Sequence, residues 1–78
     1  MNIQIYTKPG CPYCDKIKAV LDQRDIGYSE SELDVDYTRE EFTTQFGDGT
    51  TFPQVIIDGE NIGGCSDAVK YLVDNGII

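Results

Sequence analysis

Between Thr7 and Tyr13 the apolar pattern of this chain changes period, and two cysteines three residues apart sit on the changeover. Before it, Asn2-Ile3-Gln4-Ile5-Tyr6-Thr7 alternates with period two, which reads as a strand. After it, Ile17, Val20 and Leu21, with Ala19, recur at helical spacing, and Asp15, Lys16, Lys18, Asp22 and Arg24 fill the other face. Lys8-Pro9-Gly10 makes the loop. Pro12 suits the first helical turn, where its missing N–H costs nothing. A strand that feeds a helix through a short loop is half of a βαβ unit, and this constrains the fold more than any other feature.

The remaining elements extend that unit. Gly27 is the expected stop of the first helix, and Tyr28 to Val35 alternates again as a second strand. Thr38 followed by Glu40 and Glu41 marks a helix start, with acids at the positive end of the helix dipole. Phe42 and Phe46 form its expected core face, and Gly47-Asp48-Gly49 ends it. Pro53 to Ile57 is a third strand, Asp58-Gly59 a two-residue hairpin turn, and Glu60-Asn61-Ile62 a short return strand broken by Gly63-Gly64. Ser66 or Asp67 is the expected cap of a last helix through Ala68, Val69, Leu72 and Val73, closed by Gly76.

The order is therefore β-α-β-α-β-β-α. A right-handed crossover makes the first two strands parallel, and the hairpin makes the last two antiparallel. One four-stranded mixed sheet flanked by helices accounts for every element, which is a thioredoxin-like α/β arrangement. The 78 residues leave room for one domain, 1–78.

Composition narrows the chemistry. Fourteen acids against six bases give a net charge of -8, which argues against nucleic acid as a partner. Residues 1–24 carry four basic and two acidic side chains, while residues 25–78 carry two basic and twelve acidic ones. That asymmetry gives a field able to orient a partner. No apolar run approaches the roughly 20 residues that span a bilayer, and the start of the chain does not read as a signal peptide. There is no histidine, so cysteine, carboxylate and hydroxyl groups must carry the chemistry. The three cysteines, at 11, 14 and 65, do not read as a secreted disulfide framework, and they point to a reducing, cytoplasmic setting.

Thiols at i and i+3 across a first helical turn lie close enough to form a disulfide. The first of them also faces unpaired backbone N–H groups and the positive end of the helix dipole. Both effects, with Lys8 upstream, favour the thiolate, which is the attacking species in thiol–disulfide exchange. The competing use of a Cys-x-x-Cys pair is half of a zinc site. Such a site needs four ligands, and this chain offers one further cysteine and no histidine, so no metal is expected. Cys65 reads as a small buried hydrophobe.

Tyr6-Thr7-Lys8, Cys11-Pro12-Tyr13-Cys14, Thr51-Phe52-Pro53-Gln54-Val55 and Gly63-Gly64-Cys65-Ser66-Asp67 together resemble a dithiol glutaredoxin over nearly the whole chain. The resemblance implies a thioredoxin fold and an enzyme that uses glutathione as co-substrate to reduce protein disulfides and glutathione mixed disulfides. It implies that Cys11 is the nucleophile, that Cys14 resolves, and that Pro53 is a cis-proline facing the active site. It also implies a glutathione groove. In that groove Lys8 lies near the glycine carboxylate, with Arg39 as a further candidate there, and Tyr13 flanks the sulfur. Thr51 and Phe52 pair by their backbone with the cysteine part, and Ser66 and Asp67 hold the γ-glutamyl end. The expected partners are disulfide-bonded or glutathionylated proteins, ribonucleotide reductase among them, met by a monomer. The family usually has valine where Phe52 stands. Two alternatives are a redoxin recharged by thioredoxin reductase and a module in which Cys11 and glutathione hold an iron–sulfur cluster. Relatives specialised for the cluster usually keep one active-site cysteine and a glycine where Tyr13 stands.

Overall fold

A computed structural model describes residues Met1–Ile78. The elements are β1 (Ile3–Thr7), α1 (Pro12–Gln23), β2 (Ser29–Glu32), α2 (Arg39–Phe46), β3 (Gln54–Ile57), β4 (Glu60–Gly63) and α3 (Cys65–Asp74). The strands form one sheet in the order β2-β1-β3-β4. β1 pairs parallel with β2 and antiparallel with β3, and β3 pairs antiparallel with β4. The mixed four-stranded sheet expected from the element order is thus present, with the long crossover through α1 and the tight hairpin at Asp58-Gly59. No helix is long and apolar enough to cross a membrane.

Strand periodicity sorts the side chains into two clusters. Ile3, Ile5, Val55 and Ile57 point to one face, where Ile17 and Leu21 of α1 and Cys65, Ala68 and Leu72 of α3 close a core. Each large aliphatic side chain fully buried there contributes about 1.5–3 kcal/mol. Tyr6, one residue out of phase with Ile5, points to the other face. It meets Leu33, Tyr37, Phe42, Phe46 and Phe52 in a second, mainly aromatic cluster. Phe42 is buried and Phe46 half-buried, but both lie in this second cluster and not in the main core. Ala19, read with the apolar face of α1, is exposed, because the buried stripe of the helix runs through Cys14, Ile17 and Leu21, with Val20 half-buried.

Three boundaries differ by more than one residue from those the sequence predicts. α1 ends before Gly27: Arg24 is its cap, and Asp25 takes the left-handed conformation at φ 54°. The Ile26 N–H donates to the Leu21 carbonyl at 2.9 Å and the Asp25 N–H to Asp22 at 3.2 Å, the paired closure of a Schellman turn. Ile26 then packs on the core that holds Leu21, and aspartate is among the few residues that tolerate this φ. β2 stops at Glu32 and not at Val35, because Asp34 turns the chain at φ 67° and the Asp36 carboxylate accepts from the Glu32 N–H at 2.8 Å. α3 is capped by Gly64, not by Ser66 or Asp67. Cys65 and Ala68 must both face the core, and this pulls the first turn upstream.

Two other termini agree with the reading. Thr38 caps α2 by accepting from the Glu41 N–H at 3.1 Å, while the Glu41 carboxylate accepts from the Thr38 N–H at 2.9 Å. Gly76 follows the α3 cap, Asn75, in the left-handed conformation, and the Ile77 N–H closes onto Leu72 at 2.8 Å.

Candidate active site

The reactive pair is built by the start of α1. Cys11 is the cap residue and Pro12 opens the helix, so the chain enters with Cys11 extended and its sulfur over the first turn. The Cys14 N–H donates to Cys11 Sγ at 3.2 Å. The two sulfurs form a disulfide, with the Cα atoms 5.3 Å apart. Cys14 is fully buried and Cys11 nearly so, whereas Tyr13 between them stands out with 59% of its surface exposed. Only the outer sulfur of the pair therefore lies near solvent.

The end of β1 is held from two directions. The Thr7 carbonyl accepts from the Tyr37 hydroxyl at 2.6 Å and from the Leu33 N–H at 2.9 Å. Burial pushes the Tyr37 hydroxyl up to about 12, so it stays a donor. The Thr7 hydroxyl donates to Glu30 Oε2 at 2.8 Å, and Lys18 of α1 reaches the same oxygen at 3.0 Å. Lys18 also lies 3.8 Å from Asp15. The Thr7 hydroxyl, then Lys18, hold the Glu30 carboxyl below its ordinary 4.5. The hydrogen bond to Glu30 raises Lys18 above its ordinary 10.5. This set ties α1 to β2 one turn below the cysteine pair.

The sign of its pH dependence follows. A carboxyl whose folded value is depressed adds stability above its unfolded value and loses it as pH falls through the folded one. Glu30→Gln is expected to lower stability at neutral pH and to match the wild type below the folded Glu30 value. Denaturant unfolding of both proteins across that pH range reads the convergence, and a constant gap down to strong acid would contradict it.

Beside the cysteines lies an open groove of about 390 Å3, lined by Tyr13, Thr51, Phe52, Pro53, Gly64, Cys65, Ser66 and Asp67. Three segments distant in sequence meet there. The Phe52–Pro53 peptide bond is cis, Pro53 is buried, and Gly64 lies against the Pro53 carbonyl. The N–H groups of Cys65, Ser66 and Asp67 belong to the first turn of α3, with no helical carbonyl behind them. The Asp67 carboxylate accepts from the Gly64 N–H at 3.3 Å. Lys8 is exposed and, like Arg39, is not among the lining residues, but its Nζ stands 5.2 Å above the centre of the ring of Phe52, which is. Arg39 opens α2 and does not line the groove.

Gly64 and Cys65 also line the groove, a role the sequence does not announce, and Gly63 immediately precedes them. Gly63 sits at φ 119°, and a Cβ there would come within 2.5 Å of Asp67 Oδ2. The Gly63-Gly64 pair was its only trace in the sequence. Gly63→Ala is expected to cost about 1–3 kcal/mol in backbone strain and to break the Asp67–Gly64 contact. Urea unfolding checks the first effect, and loss of the Asp67 shift perturbation at Gly64 in an amide spectrum checks the second. Cys65 is buried, and burial pushes its thiol up, which disfavours the reactive thiolate there.

The family model named Glutaredoxin matches residues 3–62. Glutaredoxin 3 of Escherichia coli (strain K12) is 39% identical over 66 residues, spanning 85% of this chain and 80% of that protein. Glutaredoxin 1 of Rickettsia felis is 44% identical over 78 residues, spanning 96% of this chain and 74% of its own. Among solved structures, a buckwheat glutaredoxin–glutathione complex superposes with a TM-score of 0.77 at 28% identity, over 96% of this chain and 71% of that one.

Proposed function

This chain belongs to the glutaredoxin family, thiol–disulfide oxidoreductases that use glutathione, and we propose that Cys11 is its nucleophile, Cys14 its resolving thiol and the adjoining groove its glutathione site. The observation that carries the roles is the asymmetry of the pair. Cys11 caps α1 and receives the Cys14 N–H, while Cys14 lies buried behind it.

The chemistry follows from those positions. With the pair reduced, the helix start and the Cys14 N–H favour the Cys11 thiolate. That thiolate attacks one sulfur of a substrate disulfide and expels the other as thiolate, leaving a mixed disulfide on Cys11. Cys14 then attacks Cys11 Sγ, releases the second substrate thiol and closes the Cys11–Cys14 disulfide. One glutathione reopens it as a mixed disulfide on Cys11. A second glutathione takes that sulfur, leaving glutathione disulfide and the Cys11 thiolate. Two electrons pass from two glutathiones to one substrate disulfide.

Glutathione is a short peptide with a carboxylate at the glycine end, a zwitterion at the γ-glutamyl end and a sulfur between. The groove, together with Lys8 over its Phe52 wall, offers matching groups in that order. Lys8 suits the glycine carboxylate, the Thr51–Phe52 backbone, just ahead of β3, suits the cysteine part as an added strand, and Tyr13 and Pro53 flank the sulfur. The first-turn N–H groups at Ser66 suit the γ-glutamyl carboxylate, and Asp67 its ammonium. One chain supplies every group, so the reading needs no second copy. Disulfide-bonded and glutathionylated proteins, ribonucleotide reductase among them, are the partner class. The cytoplasm, where thiols stay reduced, suits a chain whose one cysteine outside the pair is a buried thiol.

The test compares electron supply from glutathione with supply from thioredoxin reductase. Each exposed charge contact is worth about 0.2–1 kcal/mol, so Lys8→Ala and Asp67→Ala are each expected to raise the glutathione KM severalfold at most. The two are expected to add, because they act on opposite ends of the ligand. High salt weakens the wild type more than the double variant. A glutathione KM untouched by all three variants, or turnover sustained by thioredoxin reductase alone, would overturn the groove assignment.

A further inference from the structure

Resting on the glutathione reading of the groove, we propose that Phe52 is a positioning residue: its ring holds the Lys8 ammonium at the glycine end of the groove, and α2 in turn holds the ring. Lys8 leaves β1 on an exposed loop, and no carboxylate pairs with it in the structure. A lysine so placed is free to sample many rotamers, and ordering it on a ligand costs entropy. What it does have is an aromatic face. Its Nζ lies 5.2 Å from the centre of the Phe52 ring, within the roughly 6 Å at which a ring attracts a cation.

The ring is itself fixed. Phe52 stacks on Phe42 of α2 with centroids 4.3 Å apart and planes 16° from parallel. Phe42 is buried, stacked on Tyr37 at 5.8 Å and in contact with Phe46 at 4.7 Å, and Tyr6 of β1 meets both Tyr37 and Phe46 edge-on. One face of Phe52 is therefore occupied by the aromatic cluster, and the ring presents its other face to Lys8. An aliphatic side chain at position 52 keeps the backbone that lines the groove but offers no such face. The aromatic cluster on the far side of the sheet thereby acquires a role at the groove, as the base of a platform that holds a charge in place before the ligand arrives.

The experiment has a ligand-free arm and a kinetic arm. In the free wild-type protein, the Lys8 Hε protons are expected to resonate upfield of those of Lys16 and Lys70 through the ring current of Phe52. Phe52→Tyr keeps that shift and Phe52→Leu removes it. In turnover, Phe52→Leu is expected to raise the glutathione KM about two- to fivefold, the worth of an exposed cation–π contact. Phe52→Tyr restores the wild-type KM. In a Lys8→Ala background Phe52→Leu adds almost nothing, so this pair is non-additive where Lys8 and Asp67 are additive. An unshifted Lys8 signal in the wild type overturns the contact itself and depends on no variant folding. A shifted signal with a KM insensitive to Lys8→Ala overturns the glycine-end reading, and the positioning role with it. A KM that responds to Lys8→Ala but not to Phe52→Leu, or that responds to Phe52→Leu equally in both backgrounds, overturns the positioning role alone.

Discussion

Cys11→Ser protein is expected to reduce neither a protein disulfide nor a glutathione mixed disulfide at any pH. The attacking species is a thiolate, and a serine hydroxyl at the same cap position stays protonated and is a far weaker nucleophile toward sulfur. The substitution leaves the helix start intact, because serine is itself a favoured cap. The loss should therefore come with the stability of the reduced wild type, which likewise lacks the Cys11–Cys14 bond, and thermal unfolding of both under reducing conditions separates lost chemistry from a lost fold. Measurable exchange by this variant would remove Cys11 from the nucleophile's role. In the wild type the same argument predicts that ultraviolet thiolate absorbance of the reduced protein titrates below the ordinary thiol value of about 8.5.

Cys14→Ser should divide the two reactions. Reduction of a glutathione mixed disulfide needs one protein thiol, because a second glutathione can attack the Cys11 adduct directly. Reduction of a protein disulfide by the dithiol route needs Cys14, since it alone lies behind Cys11 within bonding reach. The variant is expected to retain most of the first activity and lose nearly all of the second. The two assays run side by side on one preparation read the split. Equal losses would contradict the division of roles. Cys14 is fully buried, and serine there places a hydroxyl in its site. Some loss of stability is expected in both assays alike, and it cannot produce a difference between them.

What could be read from the sequence is local in its physics. The turn at Asp58-Gly59, the Thr38–Glu41 capping box and the Pro12 start of α1 each depend on residues within one turn of each other. Their conformations are favoured before any tertiary contact forms. The element boundaries that escaped the reading are those where distant burial overrides the local signal. Gly27 is a better stop than Asp25 by intrinsic preference, yet the chain turns at Asp25, which sets Ile26 against the core holding Leu21. Ser66 and Asp67 are better caps than Gly64, yet α3 begins earlier because Cys65 and Ala68 must both reach that core.

The same division runs through the site. The redox pair is written into residues 8–14: a strand end, a loop, a cysteine at the cap and a second one turn on place both sulfurs and the helix dipole with no help from elsewhere. The groove is different. Tyr13, Thr51 to Pro53 and Gly64 to Asp67 become neighbours only when β1 and β3 pair in register and α3 packs under them. The contact between Lys8 and Phe52 requires in addition that Tyr6 sit out of phase with Ile5, so that a second cluster forms across the sheet and carries Phe42 up to the ring. Periodicity assigns each residue a face of its own element, but the partner of that face is chosen by how the whole chain buries its apolar surface. The sequence by itself thus determined the thiol chemistry and the order of the strands and helices. Only the folded chain decided which side chains stand together around that chemistry, because close packing joins residues that the backbone holds tens of positions apart.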